Sequence, residues 1–274
     1  ESLLMFKLKK LAADKKAKSC IPLLIGTSSL SIAIGVISLS IAISTIAIFS
    51  LPSRAETIQG GVSDEVTAVE PALQAGTVFS QNALPQQQLR GWYKIPPWFA
   101  GTTRRDRIYS TNPNGGSYKS ERVRERGRQR DINGEIWECR REPIYYQIDQ
   151  GSTMDWTILR KEEPLWIGDN RVLMKYLGNM IKVDKASNRV VDVDQTLQTH
   201  DFRPGPNGDI NALIVSTVHY DQAGRLKSRS QNDSRYTEHK IADFRVTDYD
   251  DRFDYRRDFA AYLHSIGRDD LIPR

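Results

Sequence analysis

Residues 19–53 carry no charged side chain at all. Nothing else restricts the chain so strongly, because a buried soluble helix rarely runs this far without charge. Lys7, Lys9, Lys10, Lys15, Lys16 and Lys18 precede the run, against only Glu1 and Asp14. A basic head before an apolar run is the pattern of a secretory leader or a membrane anchor, and the basic flank stays on the cytoplasmic side. A spanning helix needs roughly 20 apolar residues, and residues 20–51 supply them. Ser53-Arg54-Ala55 also places small residues where a leader peptidase reads. Residues 1–55 are thus expected to form a hydrophobic helix that is either a signal peptide or a membrane anchor. The chain from residue 56 onward is expected outside the cytoplasm.

The leader also accounts for the charge. The chain has 39 Lys and Arg against 34 Asp and Glu, a formal net charge of +5. From Glu56 onward there are 32 of each. The excess of base therefore gives no argument for nucleic-acid binding. Cys20 lies in the apolar run, which leaves Cys139 as the single thiol of the exported part. No internal disulfide can form there, and an apolar core must hold the domain.

Residues 56–88 are poor in aromatics and end in Leu84-Pro85-Gln86-Gln87-Gln88, a composition that reads as a flexible linker. The folded domain is expected over 89–274. Short β-like runs separated by turn signals fill it: 101–109, 121–130, 135–147, 154–160, 171–183, 190–199, 210–220, 225–230 and 236–248. Residues 252–266 read as a helix, with Phe259, Leu263 and Ile266 at helical spacing and Gly267 as its stop. Eight to nine consecutive strands and a final helix predict a mainly β fold, an up-and-down antiparallel β-barrel with a C-terminal helix. A sandwich is the alternative.

The segment Pro97-Trp98-Phe99-Ala100-Gly101-Thr102-Thr103 resembles the first strand of lipocalin-type barrels, which opens with Gly-x-Trp. Gly101 matches, Thr103 stands where the Trp would be, and Trp98 lies just upstream. The helix after the last strand is similar to the lipocalin order. The opening from Gly91 to Phe99, behind such a leader, also resembles proteins of cyanobacteria and chloroplasts that face the thylakoid lumen or periplasm. The likeness implies a lipocalin-like barrel in one of those compartments. It implies apolar molecules, pigments or other proteins as partners.

Two residue sets suggest chemistry. Arg122, Arg124, Arg126, Arg128 and Arg130 alternate with other residues, which on a strand puts five guanidiniums on one face. Such a face suits anionic headgroups or an acidic partner, or else a solvent-exposed face paired with neighbouring acids. Trp137, Tyr145, Tyr146, Trp156, Met174 and Met180, with Trp166, would line an apolar cavity or fill a core. The four histidines are widely spaced, and no zinc, calcium, phosphate-loop or nucleophile-elbow pattern is present. No cofactor or metal is expected. Three readings are open: a module binding an apolar ligand such as a lipid or pigment, an accessory factor of a membrane complex, and a cofactor-free isomerase or lyase with His219 as its acid–base group.

Overall fold

The computed structural model describes residues 66–112 and 115–273. The segment 20–51, expected to cross the membrane, lies outside the described residues, as does the rest of 1–65. Among the described residues no helix is long and apolar enough to cross a membrane.

The strands are β1 (Gln88–Ile95), β2 (Gly101–Ser110), β3 (Ser117–Arg126), β4 (Gln129–Arg130), β5 (Ile136–Glu142), β6 (Ile144–Asp149), β7 (Thr153–Gly168), β8 (Arg171–Asp184), β9 (Arg189–Pro204), β10 (Ile210–Tyr220) and β11 (Leu226–Ala242); the helix is α1 (Tyr255–Ser265). Eight strands form one antiparallel sheet in the order β3-β2-β11-β10-β9-β8-β7-β6. From β6 to β11 each strand pairs with its sequence neighbour, the up-and-down arrangement the sequence predicts. The β2–β3 hairpin adds to β11. The sheet curls into a half-barrel, whose two edges are β3 and β6. β1, β5 and β4 make a separate three-stranded sheet.

Alternation builds the curl. β8 buries Val172, Met174 and Tyr176 on its concave face and leaves the residues between them half-exposed. With Phe99, Phe202, Ile210 and Tyr236 they form one core cluster. α1 lies on the three-stranded sheet, with Tyr255, Phe259 and Leu263 buried against Trp92, Trp137 and Cys139. Asp254 caps it by accepting the Arg257 backbone N–H at 2.9 Å. Ile266, expected in the buried stripe, is exposed because the helix ends one residue earlier.

Several strands differ from expectation for local reasons. The run 121–130 is not one strand, because Gly127 takes φ +87° and breaks the alternation. The run 135–147 divides at Pro143, which cannot donate to a ladder, and the chain changes sheet there. The runs 225–230 and 236–248 instead join in β11, with Asn232 at φ 49° absorbing a bulge opposite β10.

The expected linker is corrected from residue 66 onward. Val69, Leu73 and Phe79 are buried on the convex face against Trp156, Ile158, Ile181 and Val193. Phe79 also donates its backbone N–H to the carbonyl of Asn188 at 2.8 Å. Few apolar residues suffice here because the strap needs only to cover an apolar patch of a sheet that is already built.

Candidate functional site: an arginine-lined cavity

On β3 the period of two turns Arg122, Arg124 and Arg126 to the concave side, while Val123 and Glu125 face out. Register with β2 sets their neighbours: Arg105 lies opposite Arg122, Thr103 opposite Arg124 and Gly101 opposite Arg126. The arginine face of the sequence is therefore largely an interior lining.

The three differ in depth and partner. Arg126 is 2 % exposed and binds Glu238 twice, Nη1 to Oε2 at 2.5 Å and Nη2 to Oε1 at 3.0 Å. Its guanidinium stands 4.3 Å from the centre of the Phe99 ring. The Thr103 hydroxyl donates to Glu238 Oε2 at 2.7 Å. Burial opposes charge on Glu238, but Arg126 outweighs it and brings the carboxyl down to about 2. Arg124 pairs with Glu162 and donates to the Tyr176 hydroxyl at 3.3 Å. Arg122 stands 3.9 Å from the centre of the Tyr146 ring and donates to the Tyr146 hydroxyl, so the contact between the two sheet edges is made by side chains.

Between these residues the concave face leaves a cavity of about 100 Å³, lined by Arg105, Arg122, Arg124, Tyr146, Thr157, Leu159, Tyr176, Gly178, Thr196, Gln198, His200, Tyr236 and Glu238. His200 is engaged at both nitrogens: Nδ1 lies 2.8 Å from the Tyr236 hydroxyl and Nε2 3.2 Å from Gln198 Oε1. The consistent assignment has Tyr236 donating to Nδ1 and Nε2–H donating to Gln198. Burial first, then Arg105, Arg124 and Arg122, push the imidazole down to about 3, so it is neutral.

The charges do not balance. Glu238 serves Arg126 and Glu162 serves Arg124. Arg105 donates to Ser120, at 3.1 Å to its carbonyl and 2.8 Å to its hydroxyl, and lies 4.7 Å from the centre of the Tyr236 ring. Among the described residues neither Arg105 nor Arg122 has a carboxylate partner, and Arg122 Nε is buried without a hydrogen bond.

The aromatic set of the sequence is dispersed. Of its members only Tyr146 lines the cavity. Met174 packs in the core with Phe99 and Phe202. Trp137 packs under α1 and donates Nε1–H to Asp131 at 2.9 Å. Trp156 and Tyr145 belong to the convex face with Phe79. Met180 is 44 % exposed, and Trp166 packs against Gly168. In the arginine set, Arg128 is buried and pairs with Glu125 at 2.5 Å, and Arg130 is exposed over Phe244. These two leave the face of the other three because Gly127 reverses the parity. His219 is bound by Asp194 at 2.8 Å, opposite Thr196 on the sheet, and shares that carboxylate with Lys227. Among the described residues no group of His, Cys, Asp and Glu is placed to hold a metal.

The sequence reading missed His200, Tyr176, Tyr236 and Glu238 as site residues. Their signal was present as period two, in Gln198, His200 and Phe202 and in Tyr236 and Glu238. Comparisons with models of protein families, with curated proteins and with solved structures find no match.

Proposed function

We propose that the chain is a ligand-binding module, exported by its N-terminal segment, that uses the concave face of a lipocalin-like half-barrel to hold a small amphipathic molecule. The observation that carries this reading is the cavity between the two sheet edges, which is roofed by Arg122 on Tyr146 and lined by two arginines, Arg105 and Arg122, that have no carboxylate partner among the described residues. A cation turned into a cavity without a counter-ion is costly, and a polar or anionic ligand group there lowers the cost. The size sets how much of the ligand enters. Sites that enclose a drug-sized molecule run to about 300–1,000 Å³, so about 100 Å³ takes one polar end. The apolar remainder would lie toward the open side of the concave face. An anchor or leader in residues 20–51 would bring the module close to the membrane, where such molecules concentrate.

Binding is favoured over catalysis because the imidazole in the cavity already uses both its nitrogens. The arginine stripe is a poor surface for a macromolecular partner, because Arg124 and Arg126 are turned inward. Native mass spectrometry with lipid extraction, on protein purified from its source membrane, tests the reading. A stoichiometric amphipathic molecule, lost in Tyr146→Ala, is expected. Protein that arrives empty, and whose melting point no amphiphile moves, would overturn it.

A further inference from the structure

We infer that the polar end of the ligand is an oxyanion, a carboxylate or phosphate, held between Arg105 and Arg122. This rests on the concave cavity being the binding site.

Arg105 and Arg122 are direct cross-strand partners. Like charges directly opposite on adjacent strands repel. Arg107 and Lys119 are also opposite one another, but both reach water, where screening makes the juxtaposition cheap. Arg105 and Arg122 instead line the cavity. Among the described residues no carboxylate relieves them, since Glu162 and Glu238 are each committed to another arginine. Aromatic faces hold both cations in place, Tyr236 for Arg105 and Tyr146 for Arg122. Two fixed, planar donors with no carboxylate partner among the described residues match the geometry of a two-oxygen anion. The cavity of about 100 Å³ has room for several water-sized groups, the scale of a carboxylate or phosphate and its first carbons.

Calorimetric titration of the full chain at low ionic strength, with sodium octanoate, 1-octanol and inorganic phosphate as probes, tests this. Octanoate is expected to bind at least about ten-fold more tightly than 1-octanol, and phosphate to compete with it. Arg105→Gln and Arg122→Gln should each weaken octanoate by about 10- to 100-fold, the range of one charge-assisted hydrogen-bond set. Arg122→Glu places a carboxylate opposite Arg105. It should abolish anion binding while cooperative unfolding is retained, which separates loss of the site from loss of the fold. Equal binding of octanoate and 1-octanol, or unchanged octanoate affinity in Arg122→Glu, would overturn the oxyanion while leaving the amphiphile module standing. Phosphate binding without octanoate binding would support the oxyanion and sink the amphiphile, pointing to a free anion as ligand. If none of the three probes binds, both ideas fall.

Discussion

Arg126 and Glu238 meet side by side, two nitrogens on two oxygens, at the floor of the cavity and almost wholly out of water. The pair joins β3 to β11 across β2, tying the edge hairpin to the meander. Breaking one side leaves the other charge buried, which costs about 3–5 kcal/mol. Arg126→Gln and Glu238→Gln should each destabilise by that amount in urea unfolding. Arg105→Gln should move stability by no more than about 1 kcal/mol, because lost stacking on Tyr236 and relieved repulsion from Arg122 are of similar size. Equal losses at the two sites would contradict the division between structural and ligand-facing arginines.

The second prediction concerns acid. His200 is faced by Arg105 from β2, Arg122 and Arg124 from β3, Tyr176 from β8, and Tyr236 and Glu238 from β11. Its folded value, about 3, lies below the ordinary imidazole value. Between the two the unfolded chain binds the extra proton, so stability is full above about pH 6.5 and falls as pH drops toward 3. Glu238, held at about 2, adds a loss of the same sign below about pH 4.5. Glu138 and Glu142, raised chiefly by burial, act in the opposite sense, since protonation relieves their desolvation. Comparing the parent with His200→Gln isolates the imidazole. The difference in stability between the two should change between pH 6.5 and 4.5. A constant difference across that window would contradict a neutral His200.

The same facts fix the third prediction. Within the cavity, His200 stays neutral above about 3 and Tyr236 titrates near 12, while burial raises Tyr176 further. Anion affinity should therefore be flat from about pH 5 to 9, apart from the ligand's own ionisation. A midpoint near 6.5 in the affinity of a sulfonate analogue, which stays fully ionised across this window, would show that the imidazole charges on binding.

How much of the fold and site was legible in the sequence depends on the range of the signal. The mainly β class, the meander and the final helix follow from local alternation and turn residues, and these survive in the structure. The arginine period of two was equally visible, but its direction was not. Whether Arg124 faces water or Glu162 depends on a partner 38 residues away. The strap at 66–84 was misread because composition weighs average polarity, whereas Val69, Leu73 and Phe79 dock by position. Trp137 is drawn off by a second sheet that strand counting could not reveal, while Trp156 and Met174 fall on opposite faces of the large sheet.

The strap carries the fourth prediction. Leu73 is 1 % exposed and packs in the core that covers the convex face. Leu73→Ala should cost about 2–5 kcal/mol, as for other buried leucines. Thr77→Ala removes only hydrogen bonds to backbone carbonyls at the strap's bend and should cost about 1 kcal/mol. Guanidinium unfolding monitored by tryptophan fluorescence reports both, because Trp156 lies under the strap against Phe79 at 5.0 Å between ring centres. If Leu73→Ala unfolds like the parent, the strap does not contribute to the cooperative core.

Gly127 decides which arginines enter the cavity, and its replacement is the last prediction. Its φ of +87° suits glycine, and a Cβ there would stand 2.7 Å from the Phe244 ring and 2.9 Å from Ile136 Cγ2. Its N–H also donates to Glu138 Oε2 at 2.6 Å, so the backbone cannot swing away without exposing a buried carboxylate. Gly127→Ala therefore meets both strain and overpacking, each about 1–3 kcal/mol. Phe244→Ala made alone removes a half-buried ring and should cost less. Combined with Gly127→Ala it opens the space the new methyl needs, so the double variant should be more stable than the sum of the singles implies, by about 1 kcal/mol or more. Simple additivity would mean that conformational strain at 127 or the Ile136 contact, and not the ring, sets the requirement for glycine. In either case Arg126 and Arg128 diverge at this residue, and octanoate binding in the double variant reads out whether the arginine face has kept its parity.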